Sequence, residues 1–261
     1  VLNNVEILSD GELIITPGVH LEFHGNYELV NYGYLEAEGT ADSMVTFSAK
    51  DTAGFSDLSS NAGGWKGIRT QKSAGAINTT ILKYCKISHV KNQNVLSAIN
   101  QVSLRLKNVE LIENAGPAIY NVASAVELAN VKISNSNILA TSPLAKRGSL
   151  IASYSGETTL KNVIISGNKV HKFGLFNLFS SDVNMINATI YENEFTDKNF
   201  LSLNLDPNSE LNIINSILWN RGREEFSRDR LPQMVFKNSI IKTDMHGIEL
   251  KTENWTDNIT A

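Results

Sequence analysis

Leu104-Arg105-Leu106-Lys107-Asn108-Val109-Glu110-Leu111 decides the fold. Apolar residues alternate with polar ones around an asparagine, and a second asparagine, Asn114, follows. The pattern returns as Val126-Glu127-Leu128-Ala129-Asn130-Val131-Lys132-Ile133 with Asn135, and as Leu160-Lys161-Asn162-Val163-Ile164-Ile165 with Asn168. It returns again around Asn187 with Asn193, around Asn215 with Asn220, and around Asn238 with Asp244. Tyr84 takes the asparagine place in an earlier copy. The anchors Tyr84, Asn108, Asn130, Asn162, Asn187, Asn215 and Asn238 are spaced 24, 22, 32, 25, 28 and 23 residues apart. Strict alternation reads as strand. A period in the twenties without a helical unit reads as a β-solenoid. Leucine-rich repeats need a fixed leucine pattern and a near-constant period, and both are missing.

The expected architecture is therefore all-β: a parallel β-helix of about ten turns over residues 1–261, a single domain. Short strands of successive turns stack at about 4.8 Å, so ten turns make a rod roughly 48 Å long. Alternate side chains enter one continuous core. An asparagine at the same corner of each turn can bond the amides above and below it. On this reading Asn108, Asn130, Asn162, Asn187, Asn215 and Asn238 form a buried ladder. Loops of variable length leave at the corners, which explains the uneven spacing.

The 261 residues are ample for a buried core. They are 42% hydrophobic and 19% charged with a net charge of −4, which excludes a disordered chain. There is no basic surplus for nucleic acid, and no apolar run approaches the roughly 18 residues of a membrane span. The single cysteine, Cys85, excludes an intrachain disulfide and reads as a buried structural thiol. The 30 asparagines, over a tenth of the chain, recur at intervals rather than in a tract.

The N-terminal quarter carries a further signal. It reads Gly11-Glu12-Leu13-Ile14-Ile15-Thr16-Pro17-Gly18-Val19-His20-Leu21-Glu22-Phe23, then Tyr34-Leu35-Glu36-Ala37-Glu38-Gly39-Thr40 through Val45-Thr46-Phe47, then Gly64-Trp65-Lys66-Gly67-Ile68. This resembles the opening turns of right-handed parallel β-helix proteins of the pectate-lyase-like superfamily, and among them the surface β-helix lipoproteins of Bacteroidota. Met44 stands where that family often has proline. The resemblance implies an exported protein at the outer-membrane surface or outside the cell, with any lipid anchor ahead of Val1. Relatives commonly continue past the last turns with an Asp-Pro-x-Phe segment, so the natural C-terminal end is expected to lie beyond Ala261. Asp42-Ser43-Met44 and Asp51-Thr52-Ala53 match the short O-glycosylation signal of secreted Bacteroidota proteins, at Ser43 and Thr52.

The superfamily's polysaccharide lyases use clustered carboxylates for calcium with an Arg or Lys base, and its hydrolases use paired aspartates. None of their motif strings occurs here. One candidate group remains. Leu21 and Phe23 should point inward, leaving Glu22 and His24 outside, and Leu35 and Ala37 likewise leave Glu36 and Glu38 outside. If those strands stack, the four share a face and could bind a divalent metal or do acid–base work. A solvated sheet face accounts for them more simply. No cofactor is expected. The five histidines show no metal spacing and read as surface or turn residues. Arg221, Arg223, Arg228 and Arg230 interrupt the repeat before Pro232 and read as a protruding loop, suited to anions or paired internally with Glu224, Glu225 and Asp229. Tyr27, Tyr32 and Tyr34 could form a sugar-contacting patch, while Trp65 reads as core. The preferred function is a non-enzymatic, exported cell-envelope scaffold that holds a protein partner or a glycan. The alternative is a polysaccharide lyase or glycoside hydrolase.

Overall fold

The chain winds through three faces per turn, and every described strand pairing is parallel. The computed structural model describes residues 1–57, 59–73, 78–138, 149–170, 174–195, 202–221, 225–226 and 233–242, and the backbone of 255–256 and 259–260. All regular structure among them is strand. The first face stacks Val5–Ile7, Leu29–Asn31, Ile68–Gln71, Leu96–Ile99, Ile119–Val122, Ile151–Tyr154, Phe176–Phe179 and Leu203–Leu205. The second face runs from Glu12–Ile15 and Tyr34–Glu38 through Thr79–Lys83 to Glu157–Lys161, Asp182–Ile186, Glu210–Ile214 and Met234–Lys237. The third runs from His20–Phe23, Val45–Ala49 and Cys85–Ser88 to Ile164–Ser166, Thr189–Tyr191, Ile217–Trp219 and Ile240–Ile241. Ser103–Ile112 and Ala125–Ser134 each span the second and third faces in one strand. Eight turns carry a strand on all three faces; of the ten expected, the last two are described on the second and third faces alone.

Alternation explains the core. Leu104 and Leu106 stack in register on Val126 and Leu128, which stack on Thr158 and Leu160, then on Val183 and Met185, then on Leu211 and Ile213. All ten are buried, as are Cys85 and the facing residues of the first face. Each fully buried Leu, Ile or Val contributes about 1.5–3 kcal/mol. In the early turns Trp65 fills the interior, stacked on Phe23 at 4.1 Å and beside Phe47 at 6.4 Å. Its indole Nε1–H donates to Ser88 O at 2.8 Å, so burying the ring leaves no orphan donor.

The expected asparagines do form a ladder at one corner, but it is not buried. Asn130 donates to Asn108 Oδ1 at 2.9 Å, Asn162 to Asn130 and Asn187 to Asn162 at 3.0 Å, and Asn238 to Asn215 at 3.3 Å. This column lies outside the core. Asn108 is half-exposed and the other five are exposed. Their φ values are 50–56°, and Tyr84 in the same column has 49°. The column sits at the corner between the second and third faces, where a left-handed residue turns the chain. Asparagine is favoured because its short polar side chain tolerates that region.

The buried ladder is built from the second asparagine of the motif. Asn114, Asn168, Asn193 and Asn220 are at most 2% exposed. Asn168 donates from Nδ2 to Asn193 Oδ1 at 2.9 Å, and Asn193 donates to Asn220 Oδ1 at 2.7 Å. In the turn expected to use Asn135, the rung is Ser136 instead: Asn114 N–H donates to its Oγ, and its own N–H donates to Asn168 Oδ1. Asn135 is exposed and left-handed. Asp244 lies outside the described residues.

Candidate functional site

The candidate carboxylates do not share a face. The strand holding Glu22 stacks on Val45–Ala49, whereas Tyr34–Glu38 stacks on Glu12–Ile15 and Thr79–Lys83. Consecutive strands of one turn belong to different faces, so Glu22 and His24 are separated from Glu36 and Glu38 by a corner. Each carboxylate is ion-paired, Glu22 alone and Glu36 and Glu38 with one shared lysine. Lys50 Nζ lies 2.7 Å from Glu22, and Lys83 Nζ lies 3.2 Å from Glu36 and 3.0 Å from Glu38. The hydrogen bond from Lys50 holds Glu22 below the usual carboxylate range. The Tyr34 hydroxyl, donating at 2.8 Å, and then Lys83 do the same for Glu36. These carboxylates are poor proton donors. His24 is exposed. Among the described residues no three His, Cys, Asp or Glu side chains converge to hold a metal ion.

The remaining candidates are scattered. Arg221 is exposed beside Asn220, while Arg223, Arg228 and Arg230 lie outside the described residues. Ser43 is half-exposed in a tight turn closed on Thr40, and Thr52 is exposed. Tyr27, Tyr32 and Tyr34 are half-buried. His20 bonds Thr46 Oγ1 at 2.6 Å. His89 contacts Ser88 Oγ at 3.0 Å, and burial lowers its pKa. Burial pushes the Cys85 thiol up to about 12, so it is inert. His171 and His246 are outside the described residues.

Three features carry no signal in the sequence. The first is a cleft of about 310 Å³ on the second face. Ser103 and Ala125, small outward residues on adjacent rungs, leave a dent walled by Arg105, Glu127, Glu157, Thr159 and Lys161. Both charge signs line it, and it opens to solvent. The second is the anchoring of the loop after Ala49. Lys91, fully buried, donates to Gly54 O and Ala62 O at 2.7 Å each, and Asn92 donates to Ser60 O and Asn61 Oδ1. Burial lowers the lysine's pKa. A lone lysine at the end of a strand carries no sequence signal that it will fasten a loop some thirty residues earlier.

Glu225 is the third unexpected group. It stands inside the arginine-rich segment, yet it is 1% exposed. Its carboxylate accepts from Asn220 N–H at 2.7 Å and from Asn220 Nδ2 at 2.8 Å, in the place of the next asparagine of the buried ladder. Burial raises its pKa.

The geometry therefore defines the class as a parallel β-solenoid with amide ladders at its corners. Comparison of the chain with protein-family models, with curated proteins and with solved structures finds no match.

Proposed function

We propose that this chain is a non-catalytic scaffold of the cell envelope that holds a protein partner or a glycan on a rigid flank. The carrying observation is the pairing of its candidate carboxylates. Glu22 is paired with Lys50, and Glu36 and Glu38 share Lys83, so none faces a second carboxylate across a cleft. Hydrolysis of a glycosidic bond needs two carboxyl groups of different protonation flanking one bond. The laddered corners and continuous core support a stiff flank whose outward positions vary without cost to the fold. The open two-signed cleft on the second face offers a concave place for a polar ligand. The opening-turn motifs support kinship with the right-handed pectate-lyase-like β-helices and with surface lipoproteins of Bacteroidota, and through them an exported location. The test is a mild-detergent pull-down of the native protein from its source membrane. A stoichiometric membrane-protein partner is expected, or else retention of one glycan from a defined panel. Recovery of the protein alone, with no glycan retained, would overturn the reading.

A second reading rests on the same cleft. Glu127 and Glu157 lie diagonally on adjacent rungs with Arg105 and Lys161 beside them. A polysaccharide-active enzyme would use these residues rather than Glu22 or Glu36. Glu127→Gln and Glu157→Gln would then abolish turnover while leaving binding.

A further inference from the structure

On the third face, one outward column changes character along the rod. It reads Lys86, Glu110 and Lys132 on three successive rungs, then Ile164, Thr189, Ile217 and Ile240 on the next four. The parallel outward column adds Tyr191 and Trp219 on adjacent rungs. Ile164, Tyr191, Ile217 and Trp219 are 43%, 39%, 38% and 42% exposed. The polar–apolar alternation that keeps the earlier turns soluble is thus given up on one flat stretch. The result is an unpartnered sheet face with four large apolar side chains exposed on two neighbouring columns.

We propose that this strip rests on an anionic lipid surface. Two observations select that occupant. The first is size. Four rungs at about 4.8 Å and two columns make an apolar area about 20 Å by 10 Å. That is far below the roughly 800 Å² per partner of a stable protein interface. A second copy of this chain therefore finds too little here to dimerise, whereas a bilayer has no such minimum. The second is charge. The chain has a net charge of −4, yet among the described residues cations outnumber anions around the strip. Lys132 closes one end, in register with Ile164. Lys242, whose Nζ donates to Asn220 O at 3.0 Å, follows Trp219 on the next rung, and Lys237 and Arg221 flank the sides. Glu110, in register with Lys132, and Glu192 are the opposing charges, while Glu194 lies 3.8 Å from Lys169. Aromatic rings at headgroup depth, aliphatic side chains beside them and a basic rim suit anionic headgroups over acyl chains. This surface is distinct from the ligand-holding cleft, and the failure of either leaves the other standing.

The experiment is sedimentation of the whole chain with vesicles of phosphatidylglycerol and phosphatidylcholine, against phosphatidylcholine alone. Binding is expected to the anionic vesicles, with a blue shift of tryptophan emission that Trp219→Phe removes. Ile217→Asp with Trp219→Asp should lower the partition coefficient by about tenfold or more, which is about 1.4 kcal/mol. Lys132→Glu should weaken it about fivefold, and added salt should mimic that loss. Phe179→Asp, at a 55%-exposed position on the first face, should leave binding unchanged. Circular dichroism verifies that each variant is folded, and Lys132→Glu, being exposed, keeps the test open should the double variant unfold. No sedimentation of wild type, or equal loss with Phe179→Asp, would overturn the proposal. So would a dimer in analytical ultracentrifugation that Ile217→Asp dissolves, because the strip would then join copies of this chain.

Discussion

Asn187 and Asn193 carry the same side chain six residues apart, and the solenoid uses them for different things. Asn187 is exposed with φ 54°; Asn193 is fully buried and bonded on both sides. Asn187→Gly should be close to neutral, and Asn187→Ala should cost about 1 kcal/mol through the left-handed backbone. Asn193→Ala should cost about 2–4 kcal/mol, because it orphans several buried groups. Urea unfolding of the three variants checks the order. Glu225 gives a pH signature. Burial raises its folded pKa above the unfolded value near 4.5. A raised carboxyl pKa contributes stability that is full below the unfolded pKa and lost as pH rises through the folded one. Glu225→Gln keeps an oxygen that can accept both Asn220 donors, as Asn220 Oδ1 does for Asn193. Wild type should therefore lose stability relative to Glu225→Gln as pH rises above 4.5, and the two should converge below it. Equal pH dependence would mean that Glu225 is not buried as an acid.

Within each strand, alternation decides what a substitution does. Leu128→Ala removes a buried side chain and should cost about 2–5 kcal/mol, whereas Glu127→Ala on the outward side should stay within about 0.5 kcal/mol. Thermal unfolding separates them. The loop after Ala49 is held by two neighbouring side chains, Lys91 and Asn92. Lys91→Met orphans the carbonyls of Gly54 and Ala62, and should cost about 1–3 kcal/mol and open residues 51–63 to limited proteolysis first. Strands were legible from the sequence because Leu104-x-Leu106 and its copies state their inward face outright. Which strands stack was not. Glu22 and Glu36 are fourteen residues apart, too close for the period, yet nothing local shows that a corner divides them. The stacking partner of His20–Phe23 is Val45–Ala49, with paired residues 26 apart, where the asparagine marker is missing. The ladder was found by its period, but burial was assigned to the wrong asparagine. Both recur with the same spacing, and the left-handed corner that turns Asn108 outward leaves no mark beyond the residue type itself.

Across the whole molecule, three sheets share one core, and every inward column is committed to it. The outward columns are free to vary, and function must be written there. That is why the fold was readable and the site was not. The cleft depends on two small residues, Ser103 and Ala125, meeting on adjacent rungs, and the apolar strip depends on three isoleucines falling in one column over a period that varies from turn to turn. The central claim is that this rod holds its ligand without transforming it. The most direct measurement incubates the chain with a panel of neutral and acidic polysaccharides and reads retention and product release together, by affinity electrophoresis and by mass spectrometry of the soluble fraction. The account predicts retardation by at least one polysaccharide, weakened by Arg105→Ala, with no new chain ends over time. Time-dependent release of oligosaccharides that Glu157→Gln abolishes would contradict it.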